Sequence, residues 1–176
     1  MEKLFALHDE GKIKINERKN KSSYKLKLND KNWATVEHYY HSRKFDNFPK
    51  YAELFSLDSK SSISKDPSMA KGAGGKTGKV KGKNFRKEMQ KKLNIDKEIV
   101  MDEEFYNEGG KGEKAMEEAQ KAKYEQNENA KKMLILTKDA KLCHYVKQRG
   151  VKKSNMKGPI PFYDTMRIRK QLIDNK

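Results

Sequence analysis

The sequence predicts a mainly helical domain with a small N-terminal β element, on three patterns. Across residues 113–136, Ala115, Ala119, Ala122, Gln126, Ala130 and Met133 recur every three or four positions, the period of one helical face. Thr35 precedes residues 36–45 as a helix N-cap would, and Pro49 follows them as a stop. Residues 12–16 and 24–28 alternate apolar and polar side chains at period two, the pattern of a half-buried strand.

In chain order, the strands at 12–16 and 24–28 are expected to pair as a hairpin through the polar loop 17–23, with one face on the core. Helix 36–45 follows, then a short helix around 49–57. Residues 58–83 read as a basic Gly/Lys loop, because serines and Pro67 precede five glycines (72, 74, 75, 78 and 82) set among lysines. A basic helix over 83–93 leads into a linker reaching Phe105. The alanines of the 113–136 helix predict close helix–helix contact. Thr137 is expected to cap a further helix through Val146, stopped by Gly150, and a last helix covers 163–173. No internal repeat is present.

At 176 residues, residues 1–176 suffice for one domain with a modest core. No run of some eighteen apolar residues predicts a membrane span, and the N-terminus lacks the apolar stretch of a secretory signal. Cys143 is the single cysteine, which excludes an intramolecular disulfide and a cysteine-rich metal site. The expected compartment is therefore reducing, the cytoplasm or the nucleus. A formal charge of +16 fits a polyanionic partner. It fits equally a solvated surface filled with lysine.

Several motifs can be set aside. Ala70-Lys-Gly-Ala-Gly-Gly-Lys76-Thr77 has the outline of a phosphate loop, but the polar stretch before it is no buried strand and Gly78–Gly82 opens no good helix. Its lysines and free backbone N–H groups can still hold phosphate, so the 58–83 loop reads either as a phosphate-gripping lid or as a solvated insertion. His38 and His41 stand three apart, yet no third ligand has a telling spacing, so no metal site is expected. There is no G-x-S-x-G nucleophile elbow.

The segment Trp33–Phe45 is richer. On a helix Glu37, His41 and Lys44 fall at i, i+4 and i+7 along one stripe, while Val36, Tyr39 and Tyr40 can face the core. Glu37 also occupies the first turn, where the helix N-terminus favours a carboxylate. Periodicity alone reads first as an ordinary surface ion pair between carboxylate and lysine.

The run Trp33-Ala-Thr35-Val-Glu37-His38-Tyr39-Tyr40, three residues, Lys44-Phe45 resembles the signature of the YbiA-like (NADAR) family. Further stretches resemble the family in the same order. They are Phe55-Ser-Leu-Asp-Ser, Asp66-Pro with Ala70-Lys71, Arg86, Ala115-Met116, Ala122-Lys123-Tyr124-Glu-Gln126-Asn127, Leu134-Ile-Leu-Thr137 and Met166-Arg-Ile168-Arg169-Lys-Gln-Leu172. Together they cover about residues 28–173. The family's N-terminal aromatic-Ser-Asn-Phe stretch, its tryptophan before the Ala115-Met116 helix and its D-x-x-W-G segment are absent, as in a divergent, viral-type branch. The resemblance implies a single YbiA-like helical domain.

It also implies an N-glycosidase cleaving the bond between a base and (phospho)ribose. The first substrates to expect are ribosylaminopyrimidine phosphates of riboflavin biosynthesis; the alternative is removal of ADP-ribose from guanine or nucleic acid. Such chemistry needs a carboxylate facing an oxocarbenium-like centre, a donor to the leaving base and cations for phosphate. By this resemblance Glu37 is the catalytic carboxylate. Lys44 orients it, holds phosphate or attacks C1′ as a free amine. Trp33 and His38 belong to the signature as substrate-binding residues. Lys71 and Arg86 are phosphate contacts, Phe105 or Tyr106 stacks on the base, and Asp102 is a weaker second carboxylate. Lys123 and Asn127 close the pocket, or else are a snorkelling lysine and a solvated amide. No cofactor is required. The expected partner is a small phosphorylated ribosyl compound, with nucleic acid reachable through the basic loop. A non-catalytic, basic nucleic-acid-binding module is the rival reading.

Overall fold

The computed structural model describes residues 5–8, 11–14, 24–144 and 159–175. It is mainly helical, as expected, with short β elements. Two compact units are formed. One spans Ser23–Asn127, and the other is built from the described parts of 1–22 and 128–176.

The Ser23–Asn127 unit opens with strands β3 (Leu26–Leu28) and β4 (Lys31–Trp33), following β1 (Phe5–His8) and β2 (Gly11–Lys14) of the other unit. The hairpin expected between 12–16 and 24–28 does not form. β2 pairs with β1, Ala6 opposite Ile13, and β3 pairs with β4, Leu26 opposite Trp33. The reason is local: Asn29 and Asp30 both take positive φ (51° and 57°), and such a two-residue turn returns the chain at once to its neighbour. The loop expected at 17–23 lies outside the described residues.

Helix α1 (Val36–Ser42) continues as a 3-10 turn, Arg43–Phe45, and α2 (Pro49–Glu53) begins on its proline. Residues 58–83 are not one loop. A 3-10 turn covers Leu57–Ser59, and α3 (Pro67–Ala73) starts where the Asp66 carboxylate accepts from the N–H groups of Ser68 and Met69. A hairpin of β5 (Lys79–Val80) and β6 (Lys83–Asn84) follows, closed by positive-φ Lys81 and Gly82. The lysines and glycines hid a capping Asp-Pro pair and a two-residue turn. The basic helix, α4 (Phe85–Lys92), is present and buries Phe85 and Met89.

The helix expected over 113–136 is two helices, α5 (Lys111–Gln126) and α6 (Glu128–Leu136). Asn127 breaks it with extended backbone (φ −126°, ψ 97°) and donates from its side chain to the carbonyls of Lys123 and Lys25. Ala115, Ala119 and Ala122 are buried as the period implied, which lets α1 lie close to α5. Gln126 and Met133 are exposed. Around these alanines the core gathers Trp33, Tyr39, Phe45, Tyr51, Phe55 and Ile63 among others. Phe45, Tyr51 and Phe55 pack ring against ring at 4.8–6.1 Å.

In the second unit the sheet order is β2-β1-β7-β8, with β7 at Lys141–His144 and β8 at Ile160–Pro161, beside α6 and α7 (Tyr163–Asp174). Thr137 therefore caps no following helix, and residues 141–144 are a strand. The Thr137 hydroxyl donates back to Leu134 O (2.6 Å), Lys138 turns through positive φ, and buried Arg169 donates to Thr137 Oγ1 and Ala140 O. The chain then leaves extended and pairs with β1. The stop expected at Gly150 lies outside the described residues. No described helix is long and apolar enough to cross a membrane.

Candidate active site

Of the expected stripe, Glu37 and His41 lie on α1 and Lys44 on the 3-10 turn that follows it. Glu37 Oε2 lies 3.2 Å from His41 Nε2, an ion pair when the imidazole is protonated. The His41 interaction, aided by the charge of Lys71, draws the Glu37 carboxyl below its ordinary range despite partial burial. Glu37 is thus ionised at neutral pH. His41 is pushed the other way, chiefly by burial and further by Lys44 and Lys71, with Glu37 opposing. Its Nδ1 is buried with no partner, facing Gly74. A Cβ on Gly74 would stand 2.5 Å from that nitrogen, so only glycine fits where α3 ends against α1.

Lys44 is 3% exposed. Its ammonium donates to the Tyr106 hydroxyl at 2.7 Å and to the carbonyl of Gly74 at 3.4 Å. The rings of Tyr40, Tyr106 and Phe105 surround it at 4.8, 5.1 and 5.5 Å. No acidic side chain pairs with it among the described residues. A cation held by rings and neutral oxygens gains from the ring quadrupoles. The Asp102 N–H donates to the Lys44 carbonyl at 2.9 Å, which ties the 3-10 turn Glu103–Tyr106 to this spot.

Of the other expected site residues, Phe105 and Tyr106 belong to the Lys44 cluster. Phe105 is fully buried, and Tyr106 is 58% exposed and forms the outer wall. Lys71 is exposed on α3, close enough for its charge to act on both Glu37 and His41. Asp102 is engaged, accepting from Glu104 N–H and pairing with Lys111, which lowers its pKa. Arg86 braces α3: its Nη2 donates to Ala73 O and Gly75 O, its guanidinium lies 5.0 Å from the Phe45 ring, and its Nε is buried without a partner.

His38 is fully buried, with Nδ1 2.9 Å from Thr35 Oγ1 and Nε2 3.0 Å from Ile63 O. Since a carbonyl only accepts, Nε2 carries the proton, and both nitrogens are used within the protein. Trp33 is buried in the core and donates to Leu28 O. Lys123 lies over the Tyr24 and Tyr124 rings, and Asn127 caps α5. They sit towards the far end of α5 from Lys111, with ~18 Å of helix rise between Lys111 and Lys123. The structure thus brings Glu37, Lys44, Lys71, Phe105 and Tyr106 together, and puts Trp33, His38, Lys123 and Asn127 to structural use elsewhere.

No protein-family model, curated protein or solved structure matches the chain. Two residues complete the cluster that sequence reasoning had put on the stripe and towards the core, His41 and Tyr40, without making them site residues. Their signal was the spacing itself: His41 is i+4 from Glu37, and Tyr40 is i−4 from Lys44. Gly74 had no such signal, because its contact with His41 spans 33 positions of chain. Two cavities, of about 450 and 160 Å³, open beside Leu26 and Asp58 and beside Trp33 and Arg43, and neither includes Glu37, His41 or Lys44. Tyr106 covers Lys44, so a ligand reaching the ammonium must displace that ring.

Proposed function

We propose that the chain hydrolyses an N-glycosidic bond between a base and (phospho)ribose, with Glu37 and Lys44 as its catalytic residues. The supporting observation is the pairing of two unlike groups on α1 and the 3-10 turn that continues it: an ionised, partly exposed carboxylate beside His41, and a buried lysine without a carboxylate partner. The motif resemblance points to the same two residues. Glu37 faces the positive charge that develops at C1′ and takes the proton of the attacking water. The departing base receives a proton at nitrogen, and a ribose hemiacetal is left. In the covalent variant, Lys44 Nζ as a free amine displaces the base at C1′. The sugar ring then opens to an imine, which water hydrolyses. Tyr106 swings aside on binding and stacks on the base, while Lys71 meets phosphate at the entrance.

The test screens ribosylaminopyrimidine phosphates beside ADP-ribosylated guanine. Glu37→Gln should lower kcat by about a hundredfold or more with an unchanged melting curve. Borohydride added during turnover should leave a reduced ribose adduct on Lys44 in the covalent variant. Retention of kcat by Glu37→Gln makes the residue structural. Absence of an adduct together with an active Lys44→Arg variant reduces the lysine to an electrostatic helper.

A further inference from the structure

Between residues 60 and 92 stand eleven Lys and Arg against only Asp66 and Glu88, a net +9 of the chain's +16. All ten lysines of this segment are exposed. None is in an ion pair among the described residues, although exposed lysines elsewhere, such as Lys111 and Lys121, are paired. The charge is carried on fixed elements. β5 lies against α3 so closely that a Cβ on Gly72 would stand 2.6 Å from Lys79 O. Arg86 N–H donates to Gly78 O, and its side chain bridges to Ala73 and Gly75, so α3, the hairpin and the start of α4 are joined. On α4, Phe85 and Met89 turn inward, and Lys87 and Lys91, one turn apart, occupy the opposite face.

We infer that α3, the β5–β6 hairpin and α4 form a binding track for the phosphate backbone of duplex nucleic acid, without sequence preference. Unpaired, fixed lysines in this number exceed what a ribosyl phosphate or a nucleoside diphosphate can neutralise. A duplex presents one negative charge per about 1.7 Å of axis, enough for every lysine of the track. Recognition of single strands draws on exposed aromatic platforms. The segment's one aromatic residue, Phe85, is buried. A bilayer is a poorer match, because the segment exposes no large apolar side chain that could insert. The track stands on the charge layout and holds whether or not Glu37 and Lys44 hydrolyse anything. Its near end is Lys71, whose charge reaches Glu37.

The experiment measures binding of the full chain to a labelled duplex of random sequence across a salt series. Log affinity should fall with log salt at a slope of about 4 or steeper, since each neutralised phosphate contributes about 0.9. Changing Lys79, Lys81, Lys83 and Lys87 together to Gln should lower that slope by about 3. The same number of changes at Lys50, Lys114, Lys121 and Lys132 should leave most of it. If the first variant loses its melting transition, Lys87→Gln with Lys91→Gln on the outer face of α4 replaces it, with an expected loss of about 2. A slope of about 2 or less overturns the track in favour of a small-phosphate site, and equal losses in both sets overturn it in favour of bulk charge. Tighter binding to a single strand of equal length, or binding only to phosphatidylserine vesicles, overturns the choice of partner.

Discussion

At the scale of single residues, the candidate site depends on what is left out as much as on what is present. Gly74 adopts an ordinary negative φ (−82°), so its backbone does not demand glycine. The neighbour does: a methyl group there would meet His41 Nδ1, Cγ and Cβ at 2.5–2.7 Å. His41 is boxed in between α1 and α3 and holds Glu37 on its other nitrogen. Gly74→Ala should therefore push the imidazole off Glu37 or part the two helices, at a cost of about 1–3 kcal/mol as overpacking does. Chemical denaturation measures the loss, and ring-proton NMR shifts of His41 show whether the imidazole has moved. A variant as stable as the parent, with unmoved His41 signals, would mean that the α3 end yields freely. Glycines 72, 74 and 75 are conspicuous in the sequence, but which of them is sterically obliged follows only from packing, of β5 on α3 at Gly72 and of α3 on α1 at Gly74.

At the scale of the element, α1 gathers five titratable groups with shifted pKa values: Tyr39 and Tyr40, raised by burial, and Glu37, His38 and His41, which act below neutral pH. Burial is the first cause for both histidines, lowering them from an ordinary 6.5. Asp66 and Glu37 act on His38 in the opposite sense, and Lys44 and Lys71 reinforce the shift at His41. Below pH 6.5 the unfolded chain then binds protons that the folded one refuses, so stability falls as pH falls, by up to about 1.4 kcal/mol per pH unit for each histidine. Glu37 acts at lower pH: its depressed pKa stabilises the fold above 4.5, and that contribution is lost as pH falls through the folded value. The urea midpoint should thus decline between pH 7 and 5 and decline further below 4.5. His38→Gln should flatten the first part by one histidine's share. A constant midpoint from pH 7 to 5 would mean that both rings take up protons in the fold as readily as in the unfolded chain.

The same element shows how far sequence reading reached. The stripe on α1 was legible because helix period and capping are local. The roles of Trp33 and His38 were not, since the motif presents them beside Glu37 without revealing that Leu28 and Ile63 supply their partners. The break at Asn127 escaped for a related reason: its side chain satisfies the carbonyl of Lys25, just before β3 and 102 positions away, which no window on 113–136 contains.

At the scale of the whole molecule, every residue of the main core cluster, from Leu26 to Ala122, falls within Ser23–Asn127, as do Glu37, His41, Lys44, Lys71 and Tyr106. The sequence pointed to one domain across 1–176, on length and on a resemblance covering about residues 28–173, and it read one helix with an alanine face from Ala115 to Ala130. That face is divided, however, with Ala115, Ala119 and Ala122 in one unit and Ala130 in the other. A stretch with its own core, its own hairpins and a closed C-terminal cap can fold by itself. A chain cut to residues 23–127 should accordingly show a single cooperative thermal transition and a near-ultraviolet signal from Trp33 packed on Tyr39. If the proposed hydrolysis is correct, it should also retain turnover, because both catalytic residues and the wall of rings around Lys44 lie inside it. Should the truncated chain be unfolded while the full chain melts in one step, the core would depend on residues beyond it. The single-domain expectation would then stand, and the division at Asn127 would be one of geometry without separate stability.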